Sequence, residues 1–506
     1  MKKKNILFIC TDQHRKDSLS FYNNSTLCST PNLDKLANHS IIFDRAYTTC
    51  PVCTPARCSM QTGLFPSTTG METNCFQNGC STHELVDSPI ILSRRLQKAN
   101  YSPLYTGKWH LGFGTKKEGD FDGDKLLKAL KEENKWDVAA YEKYGTVPTE
   151  VGFIGDDFPG HGQGGWHFDQ FKQYLKDNNL TLEIENTTGY KNIGDHSTVG
   201  EVKSPIESTI EYFLVERAIN LIDDSTKEDK PFYLSLNFWG PHEPFFAPSE
   251  YLEKYKNVKI PKWDSFDENI KNHPRMLDII RRGEQPWSFF ENTLRHYYAV
   301  ISHIDNQIGR LFDYLKEKNI YDDTVIIFTT DHGDYQGVHG GLENKSYGMY
   351  DDITNIPLLL KPAIKNYKSY HNDKLVSTND FYATVLDIAG EKKDYNEGRS
   401  LLPFIDNFDI NWSNEIMCEG LGAFDVIVTQ RMYIKDNIKY IFNGVDKDQL
   451  FDLEKDENEV NNLIDKEPEL LNSMKLAFSK YLKDNNFPLY AMFSKINHIN
   501  EWDFTN

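Results

Sequence analysis

The sequence predicts an α/β protein with one large, mostly parallel sheet sandwiched by helices and a smaller antiparallel subdomain at the C-terminal end. Four apolar runs of strand length are each followed by polar or charged residues: Asn5–Thr11, Tyr101–Tyr105, Pro231–Phe238 and Asp323–Thr330. Continuous apolar runs are typical of strands that are buried on both faces, as in parallel sheets. Segments with helical period separate these runs, which is the pattern of strand–helix–strand units.

The predicted helices come from the spacing of apolar residues and from capping signals. They are Thr30–Ala37, Ile90–Leu96, Glu211–Asp223, Leu294–Leu311 and Thr378–Ala389, the last of which stops at Gly390. Two further strands are predicted in the large domain, at Ile41–Tyr47 and Ile356–Leu360.

The C-terminal part is predicted to be a small antiparallel sheet followed by a helix at about 464–484. Its strands are Arg431–Lys435, Lys439–Phe442 and Gln449–Leu453. We therefore place a large α/β domain at residues 1–405 and a small α+β subdomain, which we expect to complete a ligand pocket, at 406–506.

Two segments do not fit this alternation. Residues 251–290 show no interpretable pattern, and residues 113–205 are rich in glycine, aromatic and polar residues. A long irregular segment inside a compact domain is typically a functional loop, so we predict a substrate-facing insertion at 113–205. Three of its residues either line the pocket or simply pack the loop: His161, Trp166 and His167.

Composition and charge exclude several classes of function. The chain has 506 residues and a formal net charge of −19, which argues against nucleic acid or a long polyanion as partner. No apolar run is long enough to span a bilayer, and the run at Ile6–Cys10 is too short for a signal peptide. The eight cysteines are irregularly spaced, which favours reduced thiols. We therefore expect a cytoplasmic protein that meets an anionic ligand in a local basic pocket.

The residues around Cys53 suggest an anion site at the start of a helix. Arg57 lies four residues after Cys53, so the two side chains would share one helix face. An anion at Cys53 would then meet both a guanidinium group and a helix N-terminus. Asp12 and Gln13 follow the first strand and offer oxygen ligands suited to a hard cation.

The segment Cys53-Thr54-Pro55-Ala56-Arg57 resembles the Cys-x-Pro-x-Arg signature of the type I sulfatases, in which the cysteine is oxidised to Cα-formylglycine. Other segments resemble motifs of the same family in the same order, and they cover most of the chain: Thr30–Ala37, Phe43–Tyr47, Thr62–Pro66, Gly107–Gly112, Pro241–Pro244, Tyr297–Leu311, Asp331–Asp351 and Leu450–Leu463. The fold that this resemblance implies is alkaline-phosphatase-like.

The resemblance also implies roles for individual residues. The metal would be held by residue 53 together with Asp12, Gln13, Asp331 and His332. Arg57 would hold and activate residue 53, and His110 would promote collapse of the sulfated intermediate. The sulfate would be clamped by Lys108, His242 and Lys345, with His242 or Lys345 protonating the departing alcohol.

The chemistry explains why a modified cysteine is needed. A hydrated formylglycine is a geminal diol: one hydroxyl, activated by a divalent cation, attacks sulfur, and the second expels the sulfate when it is deprotonated. The resemblance favours Ca²⁺ as the ion. The sequence departs from the commonest sulfatase ligand pairs, Asp-Asp and Asp-Asn, and its Gln13 and His332 also suit Mn²⁺.

We expect a sulfatase that acts on a sulfated sugar at a chain end, with a formylglycine-generating maturase as partner. The alternatives on the same scaffold are a phosphonate monoester or phosphodiester hydrolase and a choline-sulfatase-like enzyme. A non-catalytic glycan-binding relative is the alternative from another class. The convertible Cys53 argues against it, because a protein that only binds needs no such residue.

Overall fold

A computed structural model of the chain describes residues 3–499, except for 23–26, 76–80, 113–145, 159, 162–163, 187–197, 229, 270–272, 281–284, 346, 392–396, 407–409 and 424–425. Large parts of the predicted insertion, 113–145 and 187–197, therefore lie outside the described residues. Of the helices that are described, none is long and apolar enough to cross a membrane.

Eighteen strands are described. They are β1 Asn5–Thr11, β2 Ile41–Phe43, β3 Ala46–Tyr47, β4 Ser102–Gly107, β5 Ile154–Gly155, β6 Ile184–Asn186, β7 Val199–Val202, β8 Phe232–Asn237, β9 Phe245–Pro248, β10 Thr324–Thr330, β11 Asn355–Ile356, β12 Leu358–Lys361, β13 Tyr370–Asn372, β14 Val376–Ser377, β15 Glu415–Ala423, β16 Val426–Lys435, β17 Ile438–Phe442 and β18 Gln449–Asp452.

The described α-helices are α1 Pro31–Ala37, α2 Cys53–Thr62, α3 Pro66–Thr69, α4 Leu92–Lys98, α5 Asp169–Asp177, α6 Ile210–Ser225, α7 Ser249–Tyr255, α8 Arg275–Ile280, α9 Trp287–Glu317, α10 Val338–Gly341, α11 Asp351–Thr354, α12 Thr378–Ala389, α13 Pro403–Asp406, α14 Pro468–Asp484 and α15 Leu489–Ile496. Short 3₁₀ turns lie at Lys16–Ser18, Pro148–Val151, Ile206–Ser208 and Asp264–Asp267.

The centre of the molecule is an eight-stranded sheet with the order β13-β2-β12-β10-β1-β8-β4-β5. Only β12 runs against the other strands, because its pairings with β10 and β2 are antiparallel and the remaining pairings are parallel. The predicted fold class, a large and mostly parallel sheet between helices, is confirmed.

Helices cover both faces of this sheet, which is why its central strands, such as β1 and β10, are mostly apolar. Along β1, Leu7 and Ile9 pack on one side with residues of α6 and α9, and Ile6 and Phe8 pack on the other with residues of α4 and α12. Successive side chains of a strand point to opposite faces, so both sets must be apolar when both faces are covered.

The C-terminal part contains a four-stranded antiparallel sheet, β15-β16-β17-β18, with α14 and α15 packed on it through Phe478, Leu482 and Phe493. The predicted small antiparallel sheet is thus confirmed. The sequence analysis missed β15 and α15, and the domain boundary at 405/406 stays a prediction. The segment 251–290, which showed no pattern, contains most of α7, all of α8 and the start of α9.

The register of the central strands brings their C-terminal ends to one edge. Thr11 at the end of β1 pairs with Thr330 at the end of β10, and Asn237 at the end of β8 pairs with Cys10 and Gly107. Ligand sites of open α/β sheets collect at this edge. The residues that directly follow β1, β4, β8 and β10 therefore lie close together.

Gly107, at the end of β4, allows this edge to form. Its φ is +99°, and a Cβ atom at this position would lie 1.8 Å from the carbonyl oxygen of Asn237. The same carbonyl accepts a hydrogen bond of 3.0 Å from the backbone N–H of Lys108. A side chain at position 107 would therefore force β4 and β8 apart where Lys108 leaves the sheet.

We predict that Gly107→Ala lowers the melting temperature far more than Gly390→Ala. Gly390 also has a positive φ, +74°, but an added Cβ would meet no atom of the described residues within 4 Å. Both variants carry the backbone strain of roughly 1–2 kcal/mol that an L-residue has in this region, and only Gly107→Ala adds the collision. Thermal unfolding of both variants measures the difference. Equal losses would show that the close approach to Asn237 has no consequence.

A buried ionic network connects the loops that follow β1 and β10. The imidazole of His339 lies 3.0 Å from a carboxylate oxygen of Glu268 and 3.2 Å from one of Asp352, and its ring stacks on Tyr350. Arg15 reaches the other oxygen of Asp352 at 2.9 Å. Burial opposes the charged imidazole, but the two carboxylates outweigh it and raise the pKa of His339 to about 9.

This pKa predicts a loss of stability in mildly alkaline solution. Because the folded pKa exceeds the unfolded value of about 6.5, the contribution of His339 is fully present below pH 6.5 and is lost as the pH rises through 9. We expect His339→Gln to be less stable at pH 6.5 and to lose less stability than the wild type between pH 6.5 and 9. Urea unfolding across this range tests it, and parallel pH profiles would contradict it.

Candidate active site

Cys53 is the first residue of α2 and lies at the edge where the central strands end. Its sulfur is 3.2 Å from Nε2 of His332, 3.7 Å from Nζ of Lys108 and 3.9 Å from Oδ1 of Asp12. Burial, followed by the charge of Asp12, raises the pKa of the thiol. The unmodified residue is therefore a protonated thiol and not a reactive thiolate.

Arg57 lies one turn further along α2 and bridges two carboxylates. Its Nη2 is 2.9 Å from Oδ2 of Asp12, and its Nε is 2.9 Å from Oδ2 of Asp331. Its Nη1 also donates to the backbone carbonyl of Lys108, at 3.2 Å. One guanidinium group thus connects the ends of β1, β4 and β10 beneath Cys53.

Four of the five predicted metal ligands come together. The ligand atoms of Asp12, Cys53, Asp331 and His332 all lie within 4.8 Å of one another, and all four residues are buried. Nδ1 of His332 lies 2.9 Å from the carbonyl oxygen of Gly333, which can only accept, so Nδ1 carries the proton and Nε2 presents a lone pair. Burial lowers the pKa of His332 to about 4, which keeps the ring neutral. This donor set fits a divalent cation.

The side chain of Gln13, the fifth predicted ligand, has other contacts. Its amide oxygen accepts a hydrogen bond of 2.6 Å from Nζ of Lys345, and its amide nitrogen donates to Asp334 at 2.6 Å. Gln336 donates to the same carboxylate oxygen at 2.9 Å. Gln13 therefore positions Lys345 in this structure, and its assignment as a ligand stays a prediction.

Lys108 and Lys345 supply positive charge on two sides of Cys53. Nζ of Lys108 is 2.7 Å from Oδ2 of Asp12. Burial opposes ionisation of Asp12, but Lys108 and Arg57 outweigh it and hold the pKa of this carboxyl well below its usual range. Burial also disfavours the charged form of Lys345, but the carboxylates of Asp12 and Asp331 raise the pKa of its ammonium group above the ordinary value. The site thus contains firmly charged groups of both signs.

His110 and His242 lie at the ends of β4 and β8, with His161 between them. The centroid of the His161 ring is 4.7 Å from that of His110 and 4.9 Å from that of His242. Burial lowers the pKa of His110 well below the usual range, and His161 lowers it further. Burial also lowers the pKa of His242 well below the usual range, and Lys345 lowers it further. Both rings are therefore neutral near pH 7.

All ten predicted site residues lie in or around one cluster at this edge, although their individual roles stay predictions. Trp166 stacks on Phe246 at 5.1 Å and has His167 at 6.4 Å, and it also lines a small cavity together with His242. The sequence analysis missed Asp334. The only signal for Asp334 in the sequence was its position shortly after the Asp331-His332 pair.

The chain is similar to known proteins over most of its length. A family model described as "Sulfatase" matches residues 4–391, and one described as "N-sulphoglucosamine sulphohydrolase, C-terminal" matches residues 337–484. The sulfatase YidJ of Escherichia coli is 28% identical over 92% of this chain and 84% of its own length. The multifunctional alkaline phosphatase superfamily protein PehA of Trinickia caryophylli is 29% identical over 92% of this chain and 91% of its own.

Solved structures show the same fold. The phosphonate monoester hydrolase of Agrobacterium radiobacter has a TM-score of 0.75 at 20% identity and covers 97% of this chain and 96% of its own. A protein solved with its substrate, D-glucosamine-2-N,6-O-disulfate, has a TM-score of 0.64 at 20% identity over the full length of both chains. Since the sulfatase model spans most of the chain, this protein belongs to the sulfatase family and is a sulfate-ester hydrolase of the alkaline-phosphatase-like superfamily.

Proposed function

We propose that Cys53 is converted by a maturase to formylglycine and that the mature enzyme hydrolyses sulfate monoesters with a divalent cation. The convergence of the Cys53 sulfur with Asp12, Asp331 and His332, all within 4.8 Å, carries this proposal. The raised pKa of the Cys53 thiol supports it further, because a protonated thiol is a poor nucleophile for an anionic ester.

The ion would be held by Asp12, Asp331, His332 and an oxygen of the modified residue 53, with Gln13 as an additional ligand if its amide turns away from Lys345. A divalent cation lowers the pKa of a bound hydroxyl by several units and so supplies a nucleophile at neutral pH. The family resemblance favours Ca²⁺, and the imidazole of His332 also suits Mn²⁺.

Two contacts favour Lys345 over His242 as the leaving-group acid. Nδ1 of His242 lies 2.7 Å from the carbonyl oxygen of Glu243, so this nitrogen carries the proton and Nε2 of the neutral ring has none to give. The raised pKa of Lys345 keeps its amine protonated at neutral pH, so it has a proton to give. We therefore assign protonation of the departing alcohol to Lys345 and contact with the sulfate to Lys108, whereas the lone pair of His242 Nε2 can only accept a hydrogen bond from the substrate.

We predict that coexpression with a formylglycine-generating maturase converts Cys53 to the aldehyde, and that Cys53→Ala loses hydrolysis of an aryl sulfate by at least about a thousandfold. Mass spectrometry of the peptide containing residue 53 measures the conversion. Cys58→Ala, on the same helix and equally buried, is the matched control and should keep activity. Full activity of Cys53→Ala would refute the proposal.

We further propose that the substrate is a small sulfated saccharide, cleaved at a chain end. The structural neighbour solved with a glucosamine disulfate supports this choice, and the net charge of −19 disfavours a long polyanion. The alternatives are a phosphonate monoester or phosphodiester, which Gln13 and His332 in the ligand set favour, and choline sulfate.

We predict a higher kcat/KM for at least one sulfated mono- or disaccharide than for choline sulfate, and a higher one for an aryl sulfate than for the matching aryl phosphonate. A panel of these compounds with the converted enzyme measures both ratios. Faster turnover of the phosphonate would favour the alternative on the same scaffold, and faster turnover of choline sulfate would exclude the saccharide assignment.

A further inference from the structure

His161 lies in the predicted insertion, and its ring contacts two predicted site residues, His110 and His242. It packs edge to face against His110, with 78° between the ring planes, and against His242, with 67°. The three imidazoles therefore form a row that starts at the end of β4 and finishes at the end of β8. The ring of His167, which is also described in this segment, contacts that of Trp166 at 6.4 Å.

Hydrogen bonds to two strand ends hold the backbone around His161. The carbonyl of Gly160 accepts a hydrogen bond of 3.1 Å from the backbone N–H of His110. The carbonyl of His161 accepts one of 2.7 Å from the indole N–H of Trp239. Trp239 follows β8 and His110 follows β4, so His161 is fixed to the two elements that carry its ring neighbours. The ring position is set before any substrate binds.

The surroundings of His161 are those of the anion site. Burial lowers the pKa of this imidazole well below its usual range, and the positive charge of Lys108 is the next cause. The side chain is only half-buried, although Lys108 and His110 beside it are completely buried. A neutral imidazole has one N–H donor and one acceptor, so it can bind a sulfate oxygen or a sugar hydroxyl without adding charge.

We propose that His161 is a third imidazole of the sulfate-ester site, which contacts the bound ester through a ring nitrogen between His110 and His242. This inference rests on the proposed function. It assigns a substrate-binding role to a residue of the insertion, and it explains why the chain ties Gly160 and His161 to both strand ends instead of leaving them in a free loop.

The test compares three variants in the full-length protein. His161→Phe keeps a planar ring but removes both nitrogens, and His161→Gln keeps a hydrogen-bond donor without the ring. His167→Phe makes the same change six residues away. With converted enzyme and an aryl sulfate, we expect His161→Phe to lose roughly tenfold to a hundredfold in kcat/KM, the range for a hydrogen bond to a charged group. We expect His161→Gln to recover part of this loss and His167→Phe to stay within about twofold.

A second measurement does not depend on turnover. Inorganic sulfate should raise the melting temperature of the unconverted wild type and of His167→Phe, and it should do so less for His161→Phe. If His161→Phe matches the wild type in both measurements, or if both His161 variants lose activity equally and melt at a lower temperature, the residue only packs and the proposal is wrong. If converted wild type hydrolyses no sulfate ester, the proposed function fails instead, and the sulfate titration still reports on His161.

Discussion

The guanidinium group of Arg57 holds the active-site edge of this protein together. Asp12 and Asp331 end two neighbouring strands and are completely buried, and their charges would repel each other without a cation between them. Arg57 contacts both at 2.9 Å. Removing one partner of such a buried pair typically costs about 3–5 kcal/mol. Because Arg57 lies one turn after Cys53, the interaction that balances the carboxylates also docks α2 and places Cys53 between them.

The same arrangement explains how a chain with a net charge of −19 can bind an anionic ester. Arg57, Lys108 and Lys345 surround Cys53, and each cation is already bound to a carboxylate or amide oxygen in the folded chain. Their positions are therefore set before the substrate arrives, and no reorganisation is needed when charge develops. Because the net charge of the rest of the protein is negative, an anion is attracted only at the site around Cys53. This favours small anions over long polyanions.

The central strands could be predicted because burial on both faces leaves an uninterrupted apolar run, as in β1 and β10. The strand β15 could not, since Gly420 and Gly422 lie inside it at a bulge and its partner is only known in three dimensions. The helix α9 begins at Trp287, seven residues before the predicted start. Trp287 packs on Trp263 and Phe266 there, and these contacts come from distant parts of the chain.

The site, too, contains residues that could be predicted from the sequence and residues that could not. Asp12, Lys108 and Asp331 directly follow strands, so the parallel sheet alone brings them to one edge, and a family signature only adds their roles. The places of Asp334 and His161 depend on contacts that no sequence window contains: an amide of Gln13 for Asp334, and the indole of Trp239 for His161. Strand-end residues keep their place as long as the sheet forms. The position of His161 depends instead on the hydrogen bonds between its loop and the two strand ends, so this loop can change without moving the residues that directly follow the strands.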